Sequence, residues 1–155
     1  MDASTGRRPA VLSAEGVAQL LEREFPQMFI PGSGTTIEDA WQGGCRVRRA
    51  FSEKFLRPGG TISGPTMMGL TDFAIYVAIL ASVGPVPLAV TTSLNINFLR
   101  KPGQRDLIAE AKLIKLGKRL AVGEVQIRSE GEDELVAHAT ATYSIPPPEK
   151  RRRVP

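Results

Sequence analysis

Between Gly64 and Gly84 the chain runs GPTMMGLTDFAIYVAILASVG, and within that apolar stretch Asp72 is the one ionisable side chain besides Tyr76. Helical spacing puts Asp72 on one face with Met68, Gly69, Tyr76 and Ile79. Gly69 leaves that face open to another backbone or a slim substrate. A carboxylate in apolar surroundings is either a structural acceptor or a candidate base. The approach to this helix is RPGGTISGP, from Arg57 to Pro65. Pro65 suits a first helical turn, and the free N–H of Gly64 points along the axis, where the positive end of the helix dipole can polarise a carbonyl. A carboxylate and an oxyanion donor on one rigid element suit acyl transfer.

Other chemistries are thinly provided for. His138 is the only histidine and Cys45 the only cysteine, so a multi-histidine metal site and a disulfide scaffold are excluded. His138 belongs to the polar face of its strand with Thr140 and Thr142, and Cys45 reads as a buried or edge residue of a strand. One cysteine fits a reducing cytoplasm. No metal or cofactor is called for.

The elements around the helix follow from periodicity and punctuation. The 155 residues, 42% hydrophobic and 23% charged, fit one globular domain. Ser13 is a candidate N-cap for an amphipathic helix with Val17, Leu20, Leu21 and Phe25 on its stripe. Thr35 to Trp41 and Cys45 to Leu56 read as strands joined at Gly43 and Gly44, and Pro58, Gly59 and Gly60 break the chain before the long helix. After Gly84 the pattern is all β: Thr91 to Arg100 with Leu94, Ile96 and Phe98 on one face, then Leu107 to Leu116, a return strand to Arg128, and Leu135 to Ile145. The expected fold is α+β, with an antiparallel sheet of about five or six strands around one dominant helix. The domain should span 13–145, between a basic tail at 1–12 and a Pro/Arg-rich tail at 146–155, both expected to be flexible.

The net charge of +4 resides in the first and last ten residues, where Arg7, Arg8 and Lys150 to Arg153 outnumber Asp2 and Glu149. A neutral core argues against a nucleic-acid-binding domain. Gly64 to Gly84 is almost long and apolar enough to span a bilayer, but Asp72 near its middle favours a buried helix, so no membrane is expected. A helix apolar all round is covered incompletely by one sheet face, and its remaining surface should meet another subunit.

GGTISGPTMMGLTDFA, TTSLNINFLRKPG, LIAEAKLIKLGKRLAVGEVQI and ELVAHATATYSI, in this order, resemble the hotdog-fold acyl-CoA thioesterases of the PaaI-like group over roughly Thr35 to Ile145. The resemblance implies a hotdog fold and hydrolysis of a CoA thioester. Asp72 falls on the family's aspartate, its base or nucleophile, and Gly64 on the glycine whose N–H polarises the carbonyl. Ser63 stands in place of the usual histidine, Pro65 replaces a second glycine, and Arg57 lies at the spacing of an asparagine. Asn95 and Asn97 fall within the strand phrase, and Thr91 close to Asp72 as a polar partner. The resemblance further implies subunits paired edge to edge as a homodimer or homotetramer, with Asp72 facing Gly64 of a neighbour. Arg100, Lys101, Lys118, Arg119 and the tail Lys150 to Arg153 are candidates for the CoA phosphates. Met67, Met68, Phe73 and Tyr76 are candidates for an acyl tunnel. A second reading is a binding module that holds an acyl ligand without turnover. A hydratase would want a histidine beside the acid, which this helix approach does not offer.

Overall fold

The computed structural model describes residues 6–147. Helix α1 (Ala14–Glu24) starts at Ser13, whose hydroxyl accepts from the Gly16 N–H at 3.0 Å, and buries Val17, Leu20 and Leu21. Phe25, expected on that stripe, is instead the C-cap and half-exposed, edge-on to Tyr76.

One six-stranded sheet is antiparallel throughout. It consists of β1 (Thr35–Trp41), β2 (Gly44–Arg49), β5 (Val90–Phe98), β6 (Leu107–Leu116), β7 (Leu120–Ser129) and β8 (Leu135–Ser144), in the order β1-β2-β6-β7-β8-β5. The strand expected from Cys45 to Leu56 ends at Arg49. There Asp106 accepts from the Phe51 N–H at 2.8 Å, and Ser52 caps a short 3-10 turn, Glu53–Phe55. A two-residue hairpin follows, β3 (Leu56–Arg57) against β4 (Thr61–Ile62).

Helix α2 (Gly64–Val83) lies against the inner face of the sheet. It is long and apolar enough to cross a membrane, but most of it is enclosed by the rest of the chain. The facing strand positions are small: Ala109, Ala111, Ala121, Ala137, Ala139 and Ala141 are all buried. At Gly123 the helix comes close, since a Cβ there would lie 2.5 Å from Ile75 Cδ1. Small residues on the sheet thus let a bulky helix sit close. This is the sheet around a helix that the hotdog resemblance implies.

At the edge, β5 pairs with β8 alone among the described residues, and the register shifts between Thr91 and Ser93. A bulge of this kind flips which residues face inward. Thr91 opposite Tyr143 and Leu94 opposite Ala141 therefore share the inner face, although three positions separate them.

Candidate active site

The bulge and α2 together build the surroundings of Asp72. Thr91 Oγ1 donates to Asp72 Oδ1 at 2.5 Å, and the Tyr143 hydroxyl donates to the same oxygen at 2.6 Å and to the Asp72 carbonyl at 3.0 Å. Both side-chain donors converge on Oδ1, so Oδ2 has no hydrogen bond among the described residues. Burial, and after it the bond to Asp72, raises the Tyr143 pKa above the usual phenol range, so Tyr143 stays a donor. Tyr143 alternates with polar residues along β8 in step with Ala139, Ala141 and Ile145, so periodicity alone reads it as an apolar core position. Its signal was available: a buried tyrosine hydroxyl on an otherwise aliphatic face needs an acceptor.

Ser63 is the N-cap of α2. Its hydroxyl lies 2.9 Å from that of Thr66 and accepts from the Thr66 N–H at 3.4 Å. The Gly64 N–H, at the first helical position, has no acceptor among the described residues, and Pro65 carries no N–H. Gly64 and Asp72 are eight residues apart on one helix, about 12 Å along its axis. No single carbonyl touches both groups of one chain.

The helix mouth opens into a groove of about 560 Å³ where Arg57, Gly64, Pro65, Arg100 and Lys101 come together, with Phe98 across from Gly64. Arg100 is in an ion pair with Glu134. Lys118 and Arg119 are elsewhere, in the β6–β7 turn, and Arg119 lines a different groove with Leu88 and Ser144. Lys150 to Arg153 lie outside the described residues. Asn95 and Asn97 are not brought to Asp72: they are exposed opposite Thr140 and His138, on the sheet face away from α2, because the pleat alternates them with Leu94 and Ile96.

Met68 and Gly69 are exposed on α2 beside Asp72, whereas Tyr76 is 4% exposed, donates to the Pro87 carbonyl at 2.7 Å and stacks on Tyr143. Tyr76 is therefore core beneath the site, not part of an open tunnel in this chain. Met67 lines the mouth groove, and Phe73 is buried, stacked on Phe29. His138 lies 3.2 Å from Glu124 on the outer sheet face, and the Cys45 thiol, donating to the Ala74 carbonyl, is pushed up by burial.

Comparison with known proteins agrees with this architecture. The thioesterase superfamily profile matches residues 59–136, which include the helix mouth, α2 and β5 to β7. A protein of Saccharolobus solfataricus named "Putative esterase" is 31% identical over 135 residues, 87% of either chain. The crystal structure of a "putative thioesterase" from Silicibacter sp. TM1040 is 41% identical with a TM-score of 0.78, covering 89% of this chain and 94% of that one. The phenylacetic acid degradation protein PaaI of Thermus thermophilus is 26% identical with a TM-score of 0.65, over 83% and 99% of the two chains. With Asp72, Gly64 and the enclosing sheet in these positions, and these relatives alongside, the chain belongs to the thioesterase superfamily, as a hotdog-fold protein of the PaaI-like group.

Proposed function

We propose that the protein hydrolyses acyl-CoA thioesters, with Asp72 of one copy and the Gly64 N–H of a second copy acting on the same carbonyl. The carrying observation is the asymmetry at Asp72: two donors hold Oδ1 and orient the carboxylate, while Oδ2 is left for the reaction. Oδ2 takes a proton from a water that attacks the thioester carbon, or attacks that carbon itself to form an anhydride that water then opens. In either case the oxyanion forms against the Gly64 N–H, and the C–S bond breaks to release CoA thiolate. A thiolate leaves without a strong acid, which suits a site with one carboxylate. The 12 Å or so between the two groups of one chain supports a site shared between copies. So does the outer edge of β5, which pairs with no further strand among the described residues, with exposed Val90, Phe98 and Leu99 nearby. Arg57, Arg100 and Lys101, gathered at the mouth, would meet the CoA phosphates. A CoA ester substrate and a single buried thiol suit the cytoplasm.

The competing reading is a non-hydrolytic acyl-CoA binder. It is favoured by the helix mouth, where Pro65 lacks an N–H and the Ser63 hydroxyl is engaged by Thr66. Thiol release from short, medium, long and aromatic acyl-CoA esters separates the two. Asp72→Asn should lower kcat by about 10²-fold or more while the protein stays folded. An unchanged kcat removes Asp72 as the reacting group, and saturable binding with no turnover of any ester favours the binder.

A further inference from the structure

The inner face of β2 ends on a charge. Cys45, Val47 and Arg49 share that face, opposite Ala111, Ala109 and Leu107, and all of these but Arg49 are buried apolar residues. Arg46 and Arg48 point the other way and are supplied with acids: Glu38 for both, with Asp106 and Glu130 also on Arg48. Arg49 is not so supplied. It donates to Thr35 Oγ1 at 2.6 Å and lies 4.4 Å from the centre of the Phe55 ring, and no carboxylate pairs with it among the described residues. Partial burial without an opposing charge lowers its pKa.

Arg49 lines a pocket of about 190 Å³ walled by Met28, Phe55, Leu70 and Phe73. Thr35 of β1 and Pro65, Thr66 and Gly69 of α2 complete the lining, and Gly69 is one turn before Asp72. A Cβ on Gly69 would meet nothing within 4 Å, so packing within the chain does not call for glycine at this helical position. Gly69, exposed on α2, thus belongs both to this lining and to the helix face that carries Asp72. A guanidinium carries five donors in a planar fork that matches a carboxylate, and one of Arg49's is used by Thr35. A neutral acyl tail would cover that cation without pairing it, which is unfavourable.

We propose that this pocket takes the far end of an acyl chain that bears a carboxylate, paired to Arg49, so that the substrate is the CoA monothioester of a short dicarboxylic acid. This rests on the thioester hydrolase reading above and names its substrate class. The test compares glutaryl-CoA with pentanoyl-CoA, which differ in the terminal carboxylate, in the wild type, Arg49→Met and Arg49→Lys. The wild type should prefer glutaryl-CoA in kcat/KM by tenfold or more. Arg49→Met should lower that ratio at least tenfold, and Arg49→Lys should retain part of it. Equal use of the two esters by the wild type, or a ratio that survives in Arg49→Met, overturns the assignment.

Binding of the free acids, followed by calorimetry and by Tm, gives an answer that does not depend on turnover. Glutarate should bind the wild type and not Arg49→Met, and pentanoate should bind neither with comparable affinity. A protein that hydrolyses no thioester but binds glutarate through Arg49 keeps this assignment and loses the hydrolase reading. One that hydrolyses pentanoyl-CoA equally well and ignores glutarate does the reverse.

Discussion

Two inactive variants should repair each other when mixed. Asp72→Asn removes the reacting carboxylate. Gly64→Pro removes the N–H at a helix position that tolerates proline, and Ser63 before it is already extended, at φ −69° and ψ 152°, as the residue preceding a proline must be. The new ring carbon would crowd the Phe98 ring tip, 3.2 Å from a Cβ at this position, so that side chain must yield by a few tenths of an ångström. Asp72 and Gly64 of one chain are about 12 Å apart along α2, so on the proposed reading each reaction centre draws its two groups from different copies. Unfolding and refolding the variants together at equal concentration leaves half of the dimers mixed. Each mixed dimer has one centre with both native groups and one with neither. Thiol release by the mixture should therefore reach about a quarter of the wild-type rate, while each variant alone stays at its own low level. A mixture no more active than its parents, with mixed dimers demonstrated by differential tagging, would refute the shared site.

Tyr143→Phe keeps the ring that stacks on Tyr76 but deletes the donor behind Asp72. A hydrogen bond to a charged group contributes about 1.5–3 kcal/mol, so kcat should fall about tenfold or more with little change in KM, because this hydroxyl sits behind the carboxylate; an unchanged kcat beside a lowered Tm would make Tyr143 merely structural. Alkaline stability gives a second check. Burial raises the phenol of Tyr76 to about 12, with the Glu24 charge adding to it, and raises that of Tyr143 further. A group whose pKa is higher folded than unfolded stabilises fully below its unfolded value, here about pH 10, and loses that contribution as pH climbs through the folded one. Chemical denaturation should show stability falling above about pH 10 by up to about 1.4 kcal/mol per pH unit for each tyrosine, and less steeply in Tyr143→Phe.

The α2 helix and the strands after it were legible because their signals are local. Ser63, Pro65 and Gly84 bracket one helix, and β6 to β8 alternate small apolar with polar residues over about ten positions each. Ser52 ending β2's neighbourhood was not legible, because the break depends on Asp106, more than fifty residues away, accepting from Phe51. The inward turn of Thr91 was implied by family resemblance and not by its strand pattern, since the bulge at Thr92 reverses the faces that period-two counting assigns.

Thr91, Tyr143 and Arg49 are among the polar side chains at inner-face strand positions that binary patterning would fill with aliphatic residues. Each violates the local rule, and each lies toward the same length of α2, from Pro65 to Asp72. Thr91 and Tyr143 are satisfied within the chain, by Asp72, so their departure is explained by the residue they hold. Arg49 has a hydroxyl and a ring but no anion among the described residues. Departures from pattern gather where function outweighs stability. Arg49 lacks a counter-charge among the described residues, in a pocket whose lining includes Gly69, one turn before Asp72, and on the reading proposed above the completion is a second carboxylate on the acyl group.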